Sequence, residues 1–231
     1  MDSRIKDIYT APLAQSGERN RVLRNTYLLL ALSMLPTALG AIVGVQMNLG
    51  MLFASSPLMS VLLFLAGSFS FMWAIGRNRD SALGVALLLG FTLFMGLMLS
   101  ISLSAALQFR NGGSLIAMAA GGTGVIFFSL ATLATVSKRD FSFMGKFLFI
   151  GLIMLLVASL ANIFFAIPAL SLTISAIAVM LFSAYILYDV SNIVNGGETN
   201  YVIATLQIYL DIYNLFVNLL NLLMAFSGER D

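Results

Sequence analysis

The sequence predicts an all-α integral membrane protein, a seven-transmembrane-helix bundle with its N-terminus cytoplasmic and its C-terminus extracytoplasmic. Three observations lead there. The 231 residues are 60% hydrophobic and only 10% charged, against roughly one-quarter charged for a soluble domain. Seven apolar runs recur, each of about 20 residues and so able to cross a ~30 Å hydrocarbon core as a helix. The basic residues, finally, gather in alternate connections. There is no histidine and no cysteine, which removes a disulfide framework, thiol chemistry, the usual near-neutral titrating group and the commonest transition-metal ligand. Any response to pH near neutrality must come from carboxylates in unusual surroundings. The basic residues are too few and too scattered for nucleic-acid binding.

Residues 1–24 (MDSRIKDIYTAPLAQSGERNRVLR) are polar and precede a full span rather than a short apolar segment, so they read as a cytoplasmic tail and not as a signal peptide. The membrane domain follows over 25–226, with spans at 25–45, 57–76, 81–103, 114–136, 143–165, 169–194 and 201–226, and a short tail at 227–231. The connections QMNLGMLFASS, RNRD, SAALQFRNGG, SKRD, AIP and NGGETN are short, which makes consecutive spans antiparallel neighbours. Pro168 must turn the chain between the fifth and sixth spans. Lys and Arg set the orientation. Arg4, Lys6, Arg19, Arg21, Arg24, Arg77, Arg79, Lys138, Arg139 and Lys146 fall on one side, and Arg110 and Arg230 on the other, ten against two. Glycines of the third span (Gly84, Gly90, Gly96) and the fourth (Gly121, Gly122, Gly124) read as close-packing positions; no phosphate-binding context surrounds them.

Two aspartates stand out. Asp189 lies inside SLTISAIAVMLFSAYILYDV and Asp211 inside YVIATLQIYLDIYNLFVNLLNLLMAF. A carboxylate at membrane depth costs several kcal/mol unless protonated, paired or hydrated. NGGETN makes a hairpin of the last two spans, and both positions stand eleven residues from residue 200, which sets them at comparable depth. Two adjacent carboxylates in a low dielectric cannot both ionise cheaply, so the pair holds one proton between them. Loss of that proton leaves two repelling charges able to attract a hard cation such as Ca²⁺. A purely structural reading, two protonated acids bonding helices together, stands beside the functional one.

The last span also carries Gln207, Asp211, Asn214, Asn218 and Asn221, spaced i, i+4, i+7, i+11 and i+14. At ~100° per residue they share a stripe roughly 80° wide. Ser171, Ser175, Tyr185, Asp189 and Asn192 share a face of the sixth span. Facing stripes of this kind either line a hydrated path or lace the helices by hydrogen bonds of about 0.6–2 kcal/mol each.

LYDVSNI at 187–193 with IYLDIYNLFVNLL at 208–220 resembles the closing motif of the Bax-inhibitor transmembrane family. VLRNTYLLL, KRDFSFMGKFL, ANIFFAIPALSLTISA and SNIVNGGETNYVIAT extend the likeness over most of the chain. The resemblance implies a seven-helix bundle of the bacterial inner membrane and a pH-sensitive Ca²⁺ leak. It makes Asp189 and Asp211 the pH sensor and candidate Ca²⁺ site, with Arg77 or Arg79 as the counter-charge that pairs with them in the closed state. It implies no cofactor, with Ca²⁺ and H⁺ as transported or regulatory ions. The nearest subgroup modulates, and is a substrate of, a membrane AAA protease of the FtsH type, for which the N-terminal tail is a candidate handle by analogy.

An enzyme reading fits less well. Intramembrane aspartyl proteases pair Tyr-Asp on one helix with Gly-x-Gly-Asp on the next; Tyr188-Asp189 fits the first, but Asp211 lies in Tyr-Leu-Asp. The Pro-Ala-Leu triplet at Pro168 precedes the first aspartate instead of following the second.

Overall fold

The protein, described by a computed structural model over residues 3–50, 57–137 and 139–228, is made of long helices joined by short turns. They are α1 (Ser3–Gln46), α2 (Pro57–Arg77), α3 (Ala82–Ala106), α4 (Gly112–Ser137), α5 (Gly145–Phe165), α6 (Pro168–Val194) and α7 (Tyr201–Ser227). A 3-10 turn at Ser142–Met144 leads into α5. All seven contain a stretch long and apolar enough to cross a bilayer. Six of the predicted spans match their helices to within three residues at each end. The first differs: α1 begins at Ser3 and runs through Arg24 without interruption, so tail and first span form one helix. Positions 19–24 (RNRVLR) are polar but contain no breaker, and polarity alone does not end a helix. Lys138 and Arg230, used in the charge count, lie outside the described residues.

Local chemistry explains the turns. Pro168 takes the first helical position of α6, where its missing N–H is no loss. Ala166 adopts a left-handed conformation (φ 49°) to end α5. At the end of α6, Gly196 (φ 80°) turns the chain, and the Gly197 N–H returns to the Asn192 carbonyl at 2.8 Å. Asn200 then caps α7, its Oδ1 accepting from the N–H groups of Val202 and Ile203.

The α7 helix is the axis of the bundle. It packs against α6, α4, α1, α3 and α2, whereas α5 touches α6 alone among the described helices. Tyr209, 1% exposed, bolts this axis in place. Its hydroxyl pairs with Thr37 Oγ1 of α1 at 2.9 Å and lies 3.5 Å from the Thr92 carbonyl of α3. Its ring meets Phe91 edge-on. Thr205 reaches the Thr26 carbonyl at 3.3 Å from the same helix.

Small residues draw α1 and α3 together. A Cβ on Gly40 would run into the Leu93 carbonyl, and one on Gly96 into the backbone of Thr37. Such close approach is how membrane helices gain packing energy where no hydrophobic force acts between them. The outer surface is apolar: Phe147, Ile150, Met154, Val157 and Phe164 of α5 are all exposed, as a lipid-facing helix requires.

Gly96→Leu is expected to force α1 away from α3 and destabilise the bundle by about 1–3 kcal/mol. Gly124→Leu should be nearly neutral, because a Cβ there meets nothing within 4 Å. Thermal unfolding in detergent compares the two.

Candidate functional site: a buried carboxyl pair under a polar cap

Asp189 sits one and a half turns before the end of α6, and Asp211 in the third turn of α7. They are 6% and 5% exposed, among the buried side chains of Ile186, Val190, Ile208 and Leu215. The two carboxyl groups hydrogen-bond to each other. Carboxylates only accept, so a bond between two carboxyls requires a proton on one of them. Asp211 Oδ2 is buried and has no hydrogen-bond partner among the described residues. The ionisable groups that act on the pair are Tyr185, which feels both carboxyls, and Glu198, which acts on Asp189.

The candidate counter-charges lie elsewhere. The Arg77 guanidinium stands over the Trp73 ring, 5.7 Å from its centroid. Arg79 Nε is 3.7 Å from Asp80 Oδ2 on an exposed loop. Each is held by a neighbour within four residues at the end of α2, and neither reaches the aspartates. In this arrangement no guanidinium pairs with the two aspartates among the described residues.

Above the pair the connections of the basic end close into a cap. The Ser191 hydroxyl, two residues beyond Asp189, donates to the Arg139 carbonyl at 3.1 Å and accepts from the Phe141 N–H at 3.2 Å. Asn195 Nδ2 donates to the same Arg139 carbonyl at 3.3 Å. On the other flank, Asn200 Nδ2 donates to Asp80 Oδ1 at 2.7 Å and to the Arg79 carbonyl at 3.2 Å. The α2–α3 and α4–α5 connections are thus tied to the two ends of the α6–α7 turn. Arg19 of α1 lies against Gly196 in that turn. In the α4–α5 connection, the Ser142 N–H donates to Asp140 Oδ1 at 2.8 Å and holds that exposed carboxyl below its usual range. The sign follows: the bond stabilises the turn at neutral pH and is lost as pH falls through the lowered value.

The polar stripe is half-buried along α7 at Gln207, Asn214, Asn218 and Asn221. Asn214 donates to the Leu210 carbonyl and Asn218 to the Asn214 carbonyl, each at 2.8 Å, so these bonds stay within α7. On α6, the Tyr185 ring lies tilted against Phe182 and edge-on to Tyr188, and the carbonyl of Asn192 accepts from the turn. No group of three or more Asp, Glu, His or Cys side chains assembles among the described residues. Ca²⁺ takes ~6–8 oxygen ligands. Two carboxyls and a tyrosine hydroxyl are therefore too few to hold it dry.

A family model described as "Inhibitor of apoptosis-promoting Bax1" matches residues 19–228, from the middle of α1 to the end of α7. The chain belongs to the Bax inhibitor family. Its relatives agree over nearly their whole length. The modulator of FtsH protease YccA of Escherichia coli K12 is 38% identical over 204 residues, 88% of this chain and 90% of that one. Its counterpart in E. coli O6:H1, at the same identity and coverage, is named inner membrane protein YccA. An uncharacterized membrane protein of Vibrio cholerae is 38% identical over 93% of both chains. This family member is accordingly an integral protein of the bacterial inner membrane. The names describe an inhibitor, a modulator and membrane proteins, and none describes an enzyme.

Sequence reasoning missed the cap. Ser191 and Asn195 follow Asp189 within the quoted motifs, but the sequence offers the first only as part of the sixth span and the second only as part of the turn. The signal for Asn200 was present, an asparagine immediately before an apolar periodic run.

Ser191→Ala removes both hydroxyl bonds to the α4–α5 connection. At about 0.5–1.5 kcal/mol for each hydrogen bond, that connection should open more often while the spans stay intact. Faster backbone hydrogen exchange confined to residues 139–144, with unchanged helical content, is the expected result.

Proposed function

We propose that this protein is a pH-sensitive Ca²⁺ leak of the inner membrane, gated by the proton shared between Asp189 and Asp211. The supporting observation is the buried hydrogen bond between these carboxyls, with no basic side chain paired to either among the described residues. With one proton between them the pair is a contact that joins α6 to α7. Without it the two like charges repel at close range in a low dielectric, part the helices and draw in a hard, partly hydrated cation. Tyr185 and Asn192 on α6, and Gln207, Asn214, Asn218 and Asn221 on α7, would line the path that such an ion follows. On this reading the protonated pair is closed, so flux rises as pH rises through the titration of the shared proton.

Proteoliposomes loaded with a Ca²⁺ indicator test this across pH 5–8. The native chain is expected to leak with a steep pH dependence, and Asp189→Asn and Asp211→Asn to leak with a flat one, since an amide facing a single carboxyl leaves no proton shared between two acids and no second charge to repel. A pH profile unchanged in both variants would refute the gate.

A second reading is favoured by the relative named as a modulator of FtsH protease. On that reading the chain binds a membrane AAA protease and adjusts its activity in membrane-protein quality control without transporting ions. Folded, inserted protein that gives no flux above empty liposomes, yet co-purifies with the protease equally well as Asp189→Asn, is the outcome expected from it.

A further inference from the structure

A slot of about 1100 Å³ opens between α1 and α4, with α7 as its floor and α3 at one end. Among the described residues α1 and α4 both pack on α7 but not on each other. The lining runs from Tyr27 to Ile42 on α1, a length of about 22 Å at the helical rise per residue. It is apolar and walled by small residues, Ala31 and Ala38 on one side and Ala120 and Gly124 on the other. One bridge crosses it, near the basic end. The Tyr27 ring meets Phe127 edge-on at 6.2 Å, and its hydroxyl bonds the side chain of Thr135.

That bridge decides what can enter. A helix is ~10 Å across with its side chains and would have to expel Tyr27 from between α1 and α4. A single hydrocarbon chain passes beside the ring. Beyond Tyr27 the same stripe of α1 continues to Arg24, three residues earlier, and beyond Val136 the α4 wall leads to Arg139. Both side chains are exposed, and neither pairs with an acid among the described residues. An apolar slot whose two walls each run on, within three residues of the lining, to an exposed arginine suits a ligand with an anionic head and a long apolar tail.

We propose that the α1–α4 slot binds an anionic phospholipid, with one acyl chain lying against α7 past Tyr27 and the headgroup phosphate at Arg24 and Arg139. The site is independent of the Asp189–Asp211 pair, and its occupancy is read without any measure of flux. The bound chain would lie against Tyr209, Ile212 and Tyr213.

Native mass spectrometry of the full chain released from detergent, with phosphatidylglycerol or phosphatidylethanolamine added in turn, tests the site. The native protein is expected to retain one phosphatidylglycerol. Gly124→Leu fills the slot from one wall and Ala38→Leu from the other, and each should lower retention roughly tenfold with unchanged circular dichroism. Two independent walls keep the test decisive if one variant fails to fold. Arg24→Gln with Arg139→Gln should keep a bound lipid but lose the preference for phosphatidylglycerol. Thr123→Val removes a buried hydroxyl that lines the slot without a partner, and should not weaken retention, since an acyl chain cannot bond it. Three results would overturn the proposal: no retained lipid, equal retention by both slot-filling variants, or a photo-crosslinker at Ala38 that captures a polypeptide instead of a lipid.

Discussion

Two carboxyl groups buried without a cation can lie in contact only while a proton sits between them. The two aspartates face each other across the packing of α6 on α7, and the bundle is organised around α7. Asp189 and Asp211 could have been separated by a turn of helix at no cost to either span, or replaced by leucines. Instead they meet where burial makes the charged state most expensive. A contact of this kind is stable in one protonation state and strained in another. On the proposed reading it couples the position of two helices to the proton activity around them.

The surrounding structure both supports that contact and keeps it from being solvated. On the α1–α3 side, glycines bring backbones together so closely that no side chain fits between them, and Tyr209 fixes α7 to both helices. On the α6–α7 side the restraint is polar and peripheral: Ser191, Asn195 and Asn200 tie two neighbouring connections to the turn above the aspartates. The axis is rigid where it meets α1 and α3, and held by a few hydrogen bonds where it meets the cap. A disturbance at the carboxyl pair would thus travel first to the α4–α5 connection, through Ser191, rather than into the glycine-packed half.

Much of this was legible in the sequence because a bilayer imposes strong rules. Span length follows from membrane thickness, so six helices could be delimited from apolar runs and breakers alone. The aspartates were legible because a buried acid violates the composition around it, and the symmetry of positions 189 and 211 about the turn placed them at similar depth. The first helix was misjudged at its start because polarity marks the edge of the membrane, not the end of a helix. Arg77 and Arg79 could not be sorted from sequence: an arginine at a helix end can reach toward the core or fold back on a near neighbour, and Trp73 and Asp80 supply such neighbours here. The slot between α1 and α4 left no sequence signal, since alanines and glycines that line a gap look the same as those that close one.

The position of α5 has a consequence for how the protein is assembled. A helix that touches the bundle through α6 alone among the described helices adds nothing to the packing around the axis, so the remaining six do not need it in place to reach their arrangement. It would then be free to settle after them, held meanwhile by its short tethers to α4 and α6. In a damaged or misassembled copy it is the first to swing free, exposing the back of the helix that carries Asp189.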